Sequence, residues 1–135
     1  MKKMLTAALL LVGASALAGE AFELKGDAAK GKESFTMYCV ACHGEKGDGN
    51  GPAGAALNPK PGNFTDAKRA AEIDDKYIYM MIKEGGAANG KSPLMVAWKA
   101  ALDDQKIRDV AAYVRTFSPT PAKAAKPAKG KKAKK

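Results

Sequence analysis

Both cysteines and the only histidine of this 135-residue chain fall within five consecutive positions, Cys39-Val40-Ala41-Cys42-His43. Four chemistries use such a cluster. A structural disulfide between Cys39 and Cys42 would close a tiny loop and stabilise little, because cross-link stabilisation grows with loop length. A dithiol redox pair uses Cys-x-x-Cys, but is expected after a strand of a βαβ unit. A structural zinc site needs four protein ligands, so a carboxylate would have to join these three residues. Covalent haem attachment uses Cys-x-x-Cys-His as its signature, and the spacing favours it. Cys39 and Cys42 stand at i and i+3, so on a helical turn they share a face. Each thiol can then form a thioether to one of the two vinyl groups of a haem. His43, at i+4 from Cys39, brings its imidazole beneath the same macrocycle as a proximal iron ligand. The residues by themselves leave the other three chemistries open.

The elements that must position this cluster read as helices. "GDAAKGKESFTMYCVACHG" is a first helix with Asp27 as N-cap. Ala28, Gly31, Phe35 and Cys39 recur at three- and four-residue steps and make one apolar stripe. Gly31 inside a helix costs about 1 kcal/mol relative to alanine, which a close helix crossing would justify. "DDKYIYMMIKEGG" is a second helix, capped by Asp74 or Asp75 and ended by Gly85-Gly86. "LDDQKIRDVAAYVRTF" is a third, capped at Asp103, with Ile107, Val110, Ala111, Val114 and Phe117 as its buried stripe. No segment alternates apolar and polar residues long enough to argue a strand, so the fold class is all-α.

Between the first two helices, Gly44 to Gly62 contains six glycines and three prolines, which excludes a regular element. It lacks Gly-Lys-Ser/Thr and follows no strand, so it does not read as a phosphate-binding loop. A loop wrapped over one face of a cofactor accounts for it better. A carbonyl in this loop, for which Pro52 is the candidate, is expected to accept the Nδ1 proton of His43 and orient the ring.

The N-terminus carries Lys2 and Lys3, an apolar run from Met4 to Val12 and the small-x-small site Ala16-Leu17-Ala18. This is the pattern of a secretory signal peptide over residues 1–18, with cleavage after Ala18 expected. Covalent haem attachment takes place outside the bacterial cytoplasm in families that use this motif, so the periplasm is the expected compartment. The formal charge of +9 is not spread evenly. Lys2 and Lys3 belong to the leader, and seven lysines stand between Lys123 and Lys135, so residues 19–117 carry no formal net charge. The segment 118–135, rich in Lys, Ala and Pro, is expected to be disordered. The organisation expected is a leader (1–18), one domain (19–117) and a basic tail (118–135). A domain of that size gains from a bulky apolar cofactor in its core.

Over residues 26–117 the chain resembles class I c-type cytochromes, the small monohaem electron carriers. "GDAAKGKESF" is similar to the family's first helix, "CVACHG" to its haem site and "DVAAYVRTF" to its last helix. The resemblance implies that Tyr113 packs across Gly31 and Phe35, and that three main helices and their loops wrap one covalently attached haem c. It further implies a distal methionine shortly before the last helix. "SPLMVAWKAALDD" supplies Met95, with Trp98 at the third position after it. The family usually has Met-Pro where this chain has Met95-Val96. Met80 and Met81 sit in a helical pattern and read as core filling. Met37 stands too near Cys39 to reach across the ring.

The resemblance therefore implies cofactor-binding residues Cys39, Cys42, His43 and Met95, with His43 and Met95 on the iron. The expected function is one-electron transport, not enzymatic catalysis. The expected partners are redox proteins: a membrane or periplasmic reductase, oxidase or dehydrogenase. The basic tail suits docking to an acidic partner or an anionic membrane surface. Nucleic acid is not expected, and the chain is expected to be a monomer. The competing reading is a ligand-binding or sensory haem protein with an open or labile sixth site. The absence of a second histidine argues against peroxidase-like chemistry.

Overall fold

The computed structural model describes residues 22–118. The leader and the tail past Ser118 lie outside the described residues. Five helical segments run in the order α1 (Ala28–Tyr38), α2 (Val40–His43), α3 (Ala67–Glu72), α4 (Asp75–Ala88) and α5 (Asp104–Thr116). No strand occurs among the described residues, in agreement with the all-α expectation.

The helix starts are set by aspartates. Asp27 accepts from the amides of Ala29 and Lys30 at 2.9 and 3.3 Å. Asp74, rather than Asp75, caps α4 by accepting from the Tyr77 amide at 2.6 Å. Asp103 caps α5 through the Lys106 amide at 2.8 Å. Each such cap contributes about 1 kcal/mol by satisfying an orphan amide.

Helices α1 and α5 cross closely. A Cβ at Gly31 would overlap the Asp109 carbonyl of α5, so only glycine allows this approach. The crossing is sealed by aromatic edges: Phe35 lies 5.3 Å from both Tyr113 and Phe117, measured between ring centroids. Buried Asp109 is satisfied locally, accepting from the Asp27 amide at 2.7 Å and from Gln105 Nε2 at 2.8 Å. Ile107, Val110, Ala111 and Val114 are buried as the periodicity predicts, whereas Phe117 is half-buried. Ile78, Tyr79 and Ile82 of α4 complete the core with Phe35 and Leu102.

Arg115 of α5 ties three elements together. Its Nε donates to Asp75 at 2.6 Å, and its terminal nitrogens donate to the carbonyls of Ile73 and Ala70 at 2.7 and 3.4 Å.

Three details differ from the sequence reading. The first helix is interrupted at Cys39 (φ −113°, ψ −29°), so α2 is a separate turn. Segment α3 was not foreseen. It is six residues long, and the Asp66 carboxylate starts it by accepting from the amides of Lys68 and Arg69. The regular part of α4 does end at Gly85 (φ 77°, ψ 174°), but a further turn that was not foreseen continues to Ala88.

Candidate functional site

The Cys39–His43 turn is held by its own backbone. The Cys39 carbonyl accepts from the amides of Cys42 at 3.2 Å and His43 at 2.8 Å. The glycine-rich loop then folds back over this turn. Amides of Gly49, Gly51 and Ala53 donate to the carbonyls of His43, Cys42 and Ala41 at 2.9, 3.2 and 2.8 Å. The loop thus folds back on the cluster.

Cys39 and Cys42 are both half-buried and neither is joined in a disulfide. Burial, and secondarily the charge of Cys42, push the Cys39 thiol up to about 12, so it is a neutral thiol. The His43 imidazole is held below its usual range, chiefly by burial. Its ring stacks on Phe64, with centroids 4.7 Å apart and planes 19° apart. Nδ1 lies 3.4 Å from the carbonyl of Gly62. The expected acceptor was the carbonyl of Pro52. The chain instead reaches His43 ten residues later, where the Phe64 amide is fixed by the Gly47 carbonyl at 2.7 Å. Neither the Phe64 stack nor the Gly62 acceptor was found from the sequence. Both depend on how a loop without periodicity closes.

Cys39, Cys42 and His43 open into a cavity of about 660 Å³, within the roughly 300–1,000 Å³ that cofactor sites occupy. Ile78, Ile82, Val110 and Val114 give it an apolar floor. Met95 lines the same cavity. Its segment is docked on the kinked end of α4: the Gly86 amide donates to the Met95 carbonyl at 2.7 Å, and the Trp98 amide to that of Ile82 at 3.0 Å. Trp98 packs against Tyr38 with ring centroids 5.1 Å apart. Of the other methionines, Met81 also lines the cavity, Met80 packs on the core and Met37 is 72 % exposed. Two thioethers, Met95 and Met81, therefore share the chamber with His43.

The arrangement weighs against two of the four chemistries. The cluster follows helix α1 rather than a strand, which removes the βαβ setting of a dithiol redox pair. Among the described residues no three His, Cys, Asp or Glu side chains converge as metal ligands, so the zinc set lacks its carboxylate. A haem fits what is present: two free thiols, a half-buried imidazole and thioethers around one large apolar chamber. The charged residues lining the chamber are Lys60, Arg69 and Lys91, all cations, and a haem carries two carboxylates.

Residues 28–118 match the Cytochrome c family. The chain is 37% identical over 91 residues to a Cbb3-type cytochrome c oxidase subunit FixP of Bradyrhizobium diazoefficiens, a match covering 67% of this chain and 28% of that protein. It is 31% identical over 88 residues to cytochrome c-554(548) of Halomonas halodenitrificans, covering 65% of this chain and 93% of that one. The chain thus spans little more than a quarter of the FixP subunit but nearly all of the small cytochrome. Among solved structures it is similar to the KustC0563 c-type cytochrome, with a TM-score of 0.54 at 24% identity over 65% of this chain and 96% of that one. That likeness shows a shared fold. With helices, turn and chamber arranged in this way and the family's pattern running through 91 residues, the chain belongs to the cytochrome c family, whose cofactor is a covalently bound haem c with its iron.

Proposed function

We propose that this protein is an exported one-electron carrier in which Cys39 and Cys42 tether the haem and His43 and Met95 are the axial ligands of its iron. The observation that carries the reading is the convergence of these four side chains on one apolar chamber. When bound, haem c supplies a reversible ferric–ferrous couple. The protein's residues do the rest. The Gly62 carbonyl fixes the tautomer of His43 by accepting from Nδ1, which leaves Nε2 unprotonated for the metal. Phe64 holds the ring plane by stacking. Met95 supplies a thioether, which favours the ferrous state and raises the potential. The apolar floor keeps water away from the metal, and Tyr38, Leu94 and Val96 leave exposed apolar surface at the chamber's rim.

Residues 1–18 act in this account as an export signal that delivers the chain to the periplasm. No helix among the described residues is long and apolar enough to cross a membrane. The partners are redox proteins, and relatives that are oxidase subunits support that class. The lysines beyond Ser118 speed encounter with an acidic partner or an anionic membrane, because long-range attraction acts on association rate.

Equilibrium redox titration of the purified protein tests the carrier role. One reversible wave with one-electron slope and isosbestic spectra throughout is the expected result. A hysteretic wave, or one with a change of spin state between the end points, contradicts it.

A further inference from the structure

We propose that Asn89 is a positioning residue of the axial thioether: its side chain holds the peptide from which the Met95 segment hangs, and so sets how readily Met95 leaves the iron. The inference rests on the axial role proposed for Met95. In an unbroken helix the Asn89 amide would donate to the carbonyl of Gly85, four residues back. Gly85 leaves helical geometry at φ 77° and ψ 174°, and the Asn89 amide donates instead to the Gly86 carbonyl at 3.0 Å. The Asn89 side chain takes over the abandoned carbonyl. Its Nδ2 donates to that of Gly85 at 2.7 Å and to that of Met80 at 3.3 Å. Both partners are acceptors, so the amide nitrogen rather than its oxygen faces them.

The Gly85 carbonyl and the Gly86 amide are the two edges of one planar peptide. Asn89 holds the first edge. The second edge donates to the Met95 carbonyl at 2.7 Å, and the Gly86 carbonyl accepts from the Lys91 amide at 2.8 Å. Both ends of segment 91–95 are thus tied to Gly86. The approach leaves no room for side chains on this peptide. A Cβ at Gly85 would lie 2.8 Å from the Met95 carbonyl oxygen, and one at Gly86 would overlap the Ser92 carbonyl. Glycine on both sides permits the contact and also leaves the peptide easy to rotate. Asn89 removes that freedom. When the peptide turns, the Gly86 amide leaves the Met95 carbonyl and the thioether loses its anchor.

An added ligand reaches ferric iron only in the fraction of molecules whose thioether has left, so its apparent affinity scales with that fraction. Unpairing the Gly85 carbonyl weakens the seat and enlarges the fraction. A weakened core elsewhere does not. Ile107 of α5 is the control position, because it is buried and does not line the chamber.

The test uses the full-length, haem-loaded protein with imidazole as the competing ligand, followed at neutral pH by the Soret shift of the ferric protein. Covalent haem content is verified first in each variant. Asn89→Asp keeps the shape of the side chain but turns its donor into an acceptor, and is expected to bind imidazole about tenfold more tightly than the unaltered protein. Asn89→Ala leaves the two carbonyls unpaired without adding charge. It shifts the affinity in the same direction and decides the matter if Asn89→Asp does not load haem. Ile107→Val melts earlier but keeps its imidazole affinity within about twofold, since the two sites share no partner. In a Met95→Ala background imidazole meets no thioether, so Asn89→Asp adds nothing there. Unchanged affinity in the Asn89 variants overturns the proposal. An equal gain in Ile107→Val, or a gain that persists in the Met95→Ala background, overturns it as well. If Met95→Ala alone binds imidazole no better than the unaltered protein, the axial reading itself has failed and the proposal falls with it.

Discussion

Met95→Ala removes the far-red sulfur-to-iron charge-transfer band of the ferric protein and lowers its reduction potential by on the order of 100–200 mV. Axial ligands set haem potentials over roughly 0.8 V, so losing one thioether accounts for a shift of this size. The sign follows from the softness of the sulfur, which favours ferrous iron. Met95 is assigned because its segment is pinned to the end of α4 by the Gly86 and Trp98 amides, which points one fixed residue into the chamber. Met81 is the informative control, since it is the other thioether lining the chamber. It projects from the part of α4 before the Gly85 kink, and on the proposed assignment it packs, so Met81→Ala keeps the band and costs stability, in the range of about 2–5 kcal/mol for methionine-to-alanine changes in a core. Met80→Ala likewise keeps the band. A Met95→Ala protein that retains the band while Met81→Ala loses it reverses the ligand assignment.

Removing both thiols has an all-or-none effect. In Cys39→Ser/Cys42→Ser, acidified organic solvent extracts the haem completely, whereas the unaltered protein keeps all of it on the polypeptide. Each single variant retains haem through one thioether, and its reduced spectrum shifts as one vinyl group stays conjugated with the ring. The expectation rests on the turn itself, where the Cys39 carbonyl accepts from both the Cys42 and His43 amides and brings the two thiols to the same chamber. The double variant also loses stability, because the apolar floor formed by Ile78, Ile82, Val110 and Val114 is exposed to water whenever the untethered cofactor leaves. Haem that stays with the polypeptide of the double variant contradicts the attachment sites.

Much of the framework was legible in the chain because it is built from local rules. Asp27, Asp74 and Asp103 announce helix starts through short-range hydrogen bonds to the amides that follow them. The stripe of Ile107, Val110, Ala111 and Val114 announces the buried face of α5 by period alone. Gly31 could be read as a crossing point because an interior glycine needs a steric reason, and the Asp109 carbonyl supplies it.

What escaped depends on contacts far apart in sequence. Segment α3 is too short for a periodic signal, although Asp66 was a visible cap. The acceptor for His43 lies nineteen residues away on Gly62, in a loop whose path no propensity fixes. The Phe64 stack shares that origin. The division of labour between Met80 and Met81 was invisible for another reason. Adjacent helical residues point about 100° apart, so one turns to the core and the other to the chamber, and the sequence does not say which.

A six-coordinate haem that only exchanges electrons has no position for an added ligand. Carbon monoxide probes that position. The protein is reduced under anaerobic conditions, carbon monoxide is added at neutral pH, and the Soret region is recorded. With His43 and Met95 both on the iron, the reduced spectrum stays unchanged. Prompt appearance of the sharpened, displaced Soret band of a carbon monoxide adduct would show an open or labile sixth site and replace the electron carrier with a ligand-binding haem protein.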